Sequence, residues 1–164
     1  MQILERYLLD AEKAFQEQEF LQGKEFLEYA LAEEPTFGKA HSHMGWLYLY
    51  HLNDYEKAES HLKLALKYAA KYGAVYQHMA TLLFDAKRLA EHESLLEAAM
   101  QISGVPASFI FNDFGRNREV QGRYKEAIRL YKLAIQNSLD SHEINVIRDN
   151  IQRCKQKRWK FLFS

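Results

Sequence analysis

The sequence predicts an all-α protein built as an array of repeated helix pairs, and three observations lead to that prediction. Small residues recur at a nearly constant spacing, bulky apolar residues keep a fixed distance from them, and the composition suits helices joined by short turns. The 164 residues are 48% apolar and include only two prolines and seven glycines. That balance favours long helices over the many short strands of a sandwich or barrel.

Two series of small residues mark the repeat. Members of the first series are 34, 35 and 35 positions apart: Ala11, Gly45, Ala80 and Gly115. Members of the second are 35, 34 and 35 apart: Ala30, Ala65, Ala99 and Ala134. Bulky apolar residues lie ten and three positions before each member of the second series: Phe20, Tyr55, Leu89 and Tyr124, then Leu27, Leu62, Leu96 and Tyr131. A period of this length is typical of arrays in which each repeat is one supersecondary unit.

Each repeat is predicted to contain two helices. In the second repeat the apolar positions of the second helix share one helical face, and they are Tyr55, Ala58, Leu62 and Ala65. Asp54 directly precedes this helix and is predicted to cap it by accepting backbone N–H bonds. Pro35 and Pro106 fall in the breaks between repeats, because proline cannot continue a preceding helix.

These features resemble the tetratricopeptide repeat (TPR), a helix–turn–helix unit of 34 residues. The clearest copies are MGWLY…DYEKAESHLKLAL and FGRNREVQGRYKEAIRLYKLAI, and the first copy, DAEKAFQEQEFLQGKEFLEYALAEEP, keeps the closing proline of the family. The resemblance covers residues 3 to about 139. The third repeat is the weakest match, since His92 stands where the second helix begins with a small residue. The closing proline is replaced in the other three repeats by Ala70, Gly104 and Leu139.

The resemblance implies a right-handed solenoid of four repeats plus a C-terminal capping helix. The predicted repeat domain is 1–140, with repeats at 3–36, 37–71, 72–105 and 106–139. Residues 141–164 form the predicted capping helix and a basic, aromatic tail. Asp140 and Glu143 are expected to cap that helix, whose apolar stripe is Ile144, Ile147, Ile151 and Cys154. Such a helix covers the apolar surface that the last repeat of a stack would otherwise expose.

Gly45 and Gly115 lie inside predicted helices, although a glycine there costs about 1 kcal/mol relative to alanine. In repeats of this family the two helices cross closely, with no room for a large side chain at the crossing point. We therefore predict that both glycines lie at helix crossings, where tight packing offsets the lost helix propensity. The less favoured alternative is that they occupy neutral surface positions.

The resemblance further implies a non-catalytic interaction module, a scaffold or adaptor that holds a peptide or protein segment in a concave groove lined by the first helices. The candidate groove residues are His43, Trp46, Tyr50, Gln77, His78, Thr81, Asn112, Asp113 and Arg116. Packing of Trp46 into the fold is the alternative at that position. One TPR subclass grips chaperone tails with a Lys/Arg–Asn clamp, whose places here hold Leu8, Glu12, Ser42, His43, Trp46 and His78. The clamp is absent, which disfavours binding of those tails.

Motifs of catalysis and of cofactor binding are missing from the sequence. It has no Gly-rich phosphate loop, no HExxH and no GxSxG, so we expect neither catalytic residues nor a cofactor. Cys154 is the only cysteine and is expected in the core. His41 and His43 are two positions apart on a helix and make a poor pair of metal ligands, so no metal site is predicted. Charged residues near the start argue against a signal peptide, which makes the cytoplasm the expected compartment.

Charge is unevenly distributed along a chain whose formal net charge is zero. Residues 1–35 carry nine acidic and three basic side chains, whereas residues 141–164 carry two acidic and six basic ones. The basic end finishes with Trp159, Phe161, Leu162 and Phe163. Self-association into a weak homo-oligomer, or binding of nucleic acid or a membrane surface through this tail, are therefore alternatives to groove binding. The zero net charge argues against nucleic acid as the main partner, and no apolar stretch reaches the length of a membrane span.

Overall fold

The computed structural model describes residues 2–162, with the side chains of residues 160–162 left outside the description. The described residues form nine α-helices and contain no strand. In chain order the helices are α1 Gln2–Gln16, α2 Phe20–Glu33, α3 Gly38–Tyr50, α4 Tyr55–Tyr68, α5 Gly73–Asp85, α6 Leu89–Ala99, α7 Ala107–Val120, α8 Tyr124–Gln136 and α9 Ser141–Leu162. The predicted all-α fold class is confirmed.

Each predicted repeat range contains two of these helices, and α9 falls in the predicted capping segment. Extensive contacts join α1 to α2, α3 to α4, α7 to α8 and α8 to α9. The contacts also divide the chain into two compact units, Met1–Leu82 and Leu83–Ser164, here called the first and second unit. The division into four repeats stays a prediction.

Two repeated positions in the second helix of each repeat are fully buried. The small residues of the second series and the bulky residues three positions before them are all 0% exposed: Ala30, Ala65, Ala99, Ala134, Leu27, Leu62, Leu96 and Tyr131. Full burial of a leucine side chain contributes about 1.5–3 kcal/mol relative to its exposure to water. Spacing therefore identified residues that are fully buried in α2, α4, α6 and α8.

The two helical glycines lie where helices cross closely. A Cβ atom on Gly45 would lie 2.6 Å from Cγ of Leu62, and one on Gly115 would lie 2.7 Å from the Tyr131 ring. Carbon atoms do not approach to such distances, so even an alanine would force a neighbour to move. The predicted close crossing is confirmed at both glycines.

Two of the predicted helix caps are present. Asp54 accepts a hydrogen bond from the backbone N–H of Lys57 at 3.0 Å, which satisfies a free donor in the first turn of α4. Asp140 accepts from the backbone N–H groups of His142 and Glu143 at 2.7 and 3.2 Å. The carboxylate of Glu143, also predicted to act in this cap, instead accepts a hydrogen bond from Ser138.

Helix α9 covers the apolar face of α8, as predicted. Three residues of its apolar stripe, Ile147, Ile151 and Cys154, are buried. They pack in one cluster with Ala127, Tyr131 and Ala134 of α8. Ile144, the fourth residue of the predicted stripe, stays partly exposed. Burial, reinforced by the negative charge of Glu119, raises the pKa of the Cys154 thiol to about 12. The cysteine is therefore a protonated core residue near neutral pH.

Polar contacts fasten the second half of α9 to α7. Glu119 of α7 accepts hydrogen bonds from Arg153 at 2.7 and 2.8 Å, from Lys157 at 2.9 Å and from the Tyr131 hydroxyl at 2.9 Å. Burial would raise the pKa of Glu119, but these donors outweigh it and hold the pKa at about 2. Within the described range, no helix combines the length and apolar character that a membrane crossing needs.

Candidate functional site

A groove with a volume of about 310 Å³ opens in the first unit between α1, α3 and the start of α5. We call it the first-unit groove. Its lining residues are Glu12, Phe15, Gln16, Ser42, His43, Trp46, Tyr72, Ala74 and His78. Aromatic rings and polar groups thus share one concave surface.

Helical periodicity brings these side chains together. Glu12, Phe15 and Gln16 are three and four residues apart, so they share one face of α1. Spacings of four residues likewise place Ser42 with Trp46 on α3 and Ala74 with His78 on α5. All but one of the lining residues therefore lie on these three helices. The exception is Tyr72, which lies in the turn before α5.

Trp46 lies at the centre of an aromatic cluster and is itself partly exposed. Its ring centroid is 5.1 Å from that of Phe15, 6.5 Å from that of Phe20 and 6.5 Å from that of Tyr50. Tyr50 in turn meets the His78 ring edge-on at 5.7 Å. Trp46 therefore has both roles that its sequence position allowed, since it packs against neighbouring rings and also lines the groove.

His43 joins two acceptors across the groove wall. Its Nδ1 lies 2.9 Å from the backbone oxygen of Lys39, and its Nε2 lies 3.1 Å from Oε1 of Glu12. A carbonyl oxygen only accepts hydrogen bonds, so Nδ1 donates to Lys39, while Nε2 faces the carboxylate of Glu12. Both ring nitrogens of His43 are therefore already engaged in the groove wall.

His78 differs from His43 although both residues line the groove. Burial, with a contribution from the neighbouring charge of His43, lowers the pKa of His78 to about 4. Its imidazole is therefore neutral at pH 7, and its buried Nδ1 has no hydrogen-bond partner among the described residues. Burial, followed by the negative charge of Glu12, raises the pKa of Tyr72, which keeps that phenol protonated.

The first-unit groove contains some of the predicted groove residues and omits others. His43, Trp46 and His78 line it, and Tyr50 touches two of them. Gln77 and Thr81 lie on α5, where the Thr81 hydroxyl donates to the backbone oxygen of Gln77 at 3.1 Å. Sequence reasoning did not select six of the lining residues: Glu12, Phe15, Gln16, Ser42, Tyr72 and Ala74. For Glu12 and Ser42 a signal was present, because both occupy places of the family's peptide clamp.

The predicted groove residues of α7 make contacts inside the second unit. Asp113 is 1% exposed and accepts hydrogen bonds from His92 Nε2 at 3.1 Å and from Arg116 at 3.0 Å. This burial does not fit the predicted role of Asp113 in lining a groove, because its carboxylate is hydrogen-bonded to the buried imidazole of His92. The Arg116 guanidinium also lies 3.9 Å above the Phe84 ring, and Asn112 accepts a bond from Asn150 of α9 at 3.4 Å.

Sequence reasoning also did not predict a contact between two other histidines of the first unit. His41 and His61 approach each other at 2.9 Å through their Nδ1 atoms, and His41 Nε2 lies 2.9 Å from the backbone oxygen of Pro35. That oxygen only accepts, so His41 Nε2 donates to it, and a single proton lies between the two Nδ1 atoms. Burial, followed by the charges of His41 and Lys24, lowers the pKa of His61 to about 4.

No protein-family model and no curated protein matches this chain in sequence. Solved structures do match in fold. PilF of Pseudomonas aeruginosa superposes with a TM-score of 0.83 at 17% identity, over 98% of this chain and 71% of PilF. PilW, a type IV pilus biogenesis factor, gives a TM-score of 0.78 at 15% identity, over 95% and 79% of the two chains.

A third match is YrrB, described as a TPR protein with an unusual peptide-binding site. It superposes with a TM-score of 0.68 at 16% identity, over 92% of this chain and 80% of YrrB. Identities this low establish a shared fold and leave partners open. The chain has the tetratricopeptide-repeat fold that its sequence predicted.

Proposed function

We propose that this protein is a non-catalytic interaction module that holds a peptide or protein segment of a partner in the first-unit groove. The observation that carries the proposal is the groove's combination of a partly exposed Trp46 with the polar groups of Glu12, Gln16 and His78. Tryptophan is among the residues that dominate binding energy at interfaces, and nearby polar groups fix the orientation of a bound chain. YrrB, which shares this fold and is described as having an unusual peptide-binding site, supports the proposal.

The chemistry of the lining residues supports binding over catalysis. The Ser42 side chain is 1% exposed, so its hydroxyl is poorly placed to attack a substrate. His43 already uses both ring nitrogens in hydrogen bonds to Lys39 and Glu12. The low pKa of His78, about 4, makes it a weak general base near pH 7.

Selection from a displayed library of random dodecapeptides, followed by calorimetry with synthetic peptides, tests the proposal. Trp46→Ala should weaken binding of the selected peptides by about tenfold or more, as for a central interface residue. Tyr55→Ala is the matched control, because Tyr55 is a 47% exposed aromatic residue of the same unit that does not line the groove. Peptides that bind wild type and both variants equally would contradict the groove as the working surface.

Self-association through the basic C-terminal segment is a second candidate function. Trp159 is 66% exposed on the basic end of α9, while Phe161, Leu162 and Phe163 of the predicted tail lie outside the residues whose side chains are described. We expect weak association at low ionic strength that fades near 0.15 M salt, where the screening length is about 8 Å. Sedimentation of the chain with and without residues 153–164 tests this, and a monomer at every salt concentration would remove it. A cytoplasmic location stays a prediction.

A further inference from the structure

We propose that the first-unit groove recognises a cationic side chain, lysine or arginine, presented by a basic segment of a partner protein. The inference rests on the proposed function and adds the chemical class of the ligand. Three features of the groove carry it: a reachable carboxylate, a set of aromatic faces, and the absence of an available cationic donor among its lining residues.

The carboxylate is that of Glu12. Its side chain is 42% exposed, so an incoming group can reach it from solvent. The contact from His43 uses Oε1, one of two carboxylate oxygens that together offer about four acceptor positions. A lysine ammonium or an arginine guanidinium would form a charge-assisted hydrogen bond with the same group.

Aromatic rings supply the rest of the contact surface. Phe15, Trp46 and Tyr72 all line the groove, with the Phe15 and Trp46 centroids 5.1 Å apart. A cation within about 6 Å of such ring faces is attracted by their π electrons, and tryptophan gives the strongest interaction. The methylene stem of lysine or arginine packs against the same rings while its charged end stays near the carboxylate.

An anionic ligand finds no matching group in this groove. The lining contains no lysine and no arginine, and both nitrogens of His43 are already in contact with Lys39 and Glu12. His78 is neutral at pH 7 because burial holds its pKa at about 4. The Lys/Arg–Asn clamp offers positive charge to an acidic tail, whereas this groove offers the carboxylate of Glu12. An acidic tail would therefore be repelled by Glu12 and would find no cationic side chain to pair with.

Size and charge agree with a side chain as the occupant. A volume of about 310 Å³ is at the lower end of small-ligand sites, which suits one or two side chains of a segment lying across the groove. Residues 1–82, the range of the first unit, carry twelve acidic and eight basic side chains. This excess of negative charge favours the approach of a basic segment.

Peptides selected from the random library and dependent on Trp46 provide the test. We expect them to be enriched in lysine or arginine. Replacement of the key lysine by norleucine, or of the key arginine by citrulline, should weaken binding about tenfold. Glu12→Gln should weaken the parent peptide similarly, and the two changes together should cost no more than either alone, which is the signature of a direct pair.

Glu5→Gln is the matched control, because Glu5 is an α1 carboxylate that pairs with Lys39 at 3.3 Å and does not line the groove. It should leave the affinity unchanged. The norleucine and citrulline peptides leave the protein unaltered, so the proposal stays testable even if Glu12→Gln disturbs folding.

The failures of the two proposals are distinguishable. Two results would contradict a cationic ligand but not binding in the groove. One is a set of peptides that depend on Trp46 and contain no essential lysine or arginine, and the other is a peptide affinity that Glu12→Gln leaves unchanged. A library that yields no Trp46-dependent peptide overturns the groove function itself. If instead the chain forms a dimer in sedimentation that Glu12→Gln abolishes, the occupant is a second copy, and the assignment to a separate partner is overturned.

Discussion

His43 in the first unit and Asp113 in the second occupy equivalent places in their repeats, yet they have different surroundings. Each lies two positions before the helical glycine of its repeat, Gly45 or Gly115. His43 is partly exposed and contacts Glu12 on the wall of an open groove. Asp113 is 1% exposed and joins two hydrogen-bond donors inside the unit. The difference shows that repeat register places a side chain near the preceding helix pair but does not decide whether it meets solvent or core.

His92 accounts for the difference. It stands where the other repeats have Gly23, Ala58 and Ala127, and it is 0% exposed. A buried imidazole needs a polar partner, because an unpaired buried polar group costs about 1–3 kcal/mol. Asp113 of the next helix supplies that partner. In the first unit the equivalent positions, Gly23 and Ala58, have no polar side chain that needs a buried partner.

The largest expected effect comes from removing Asp113. Asp113→Ala should destabilise the protein by about 3 kcal/mol, because it leaves His92 buried and Arg116 without this carboxylate. Nδ1 of His92 already has no partner among the described residues, so the imidazole would lose its Nε2 bond as well. His43→Ala should cost less than about 1 kcal/mol, since its partner Glu12 is 42% exposed. Similar urea midpoints for the two variants would break the comparison.

Helix crossings should respond alike in the two units. Gly45→Ala and Gly115→Ala should each cost about 1–3 kcal/mol, because the added methyl group overlaps Leu62 in the first unit and the Tyr131 ring in the second. Lys63→Leu is the control, as Lys63 is exposed on α4. Denaturant midpoints measure all three, and a glycine variant as stable as Lys63→Leu would show that its crossing has room to spare.

Acid should weaken the two units over different pH ranges. His61 has a pKa of about 4 in the folded state and about 6.5 when unfolded, so the unfolded chain binds more protons between these values. The first unit should therefore lose stability as the pH falls from about 6.5 to about 4. Glu119 has a folded pKa of about 2, so its contribution to the second unit is lost only as the pH falls from about 4.5 towards 2.

Amide hydrogen exchange followed residue by residue across this pH series separates the two units. His61→Asn should reduce the response of the first unit, because an amide can donate to His41 without titrating. Part of the response should remain, since His78 in the same unit also has a folded pKa of about 4. Parallel loss of protection in both units between pH 6.5 and 4 would contradict the assignment.

The smallest effect concerns helix starts. Asp54 caps α4 through its side chain, whereas Arg123 at the start of α8 makes no side-chain cap bond and instead pairs with Glu126. Asp54→Ala should lower the melting temperature more than Arg123→Ala does, because the first change removes a bond to a backbone N–H group and the second only an exposed ion pair. Thermal melting resolves such a difference, and equal shifts would mean that the cap contributes no more than a surface ion pair.

Sequence alone determined the helix pairs, their buried positions and the crossings at Gly45 and Gly115. These features follow from periodicity, because residues three and four apart share a helical face and a crossing admits only small side chains. The caps at Asp54 and Asp140 were equally readable, since capping is local chemistry.

Only the tertiary structure decided which polar residues lie on the surface and which lie in the core. The pairs His43–Glu12, His92–Asp113 and His41–His61 join positions 31, 21 and 20 residues apart, and no local pattern encodes such contacts. Sequence reasoning placed Asp113 in a groove because it could not see that His92 would be buried and need a partner. Whether a polar residue is left to bind a ligand depends on what the neighbouring helix pair brings within hydrogen-bonding distance.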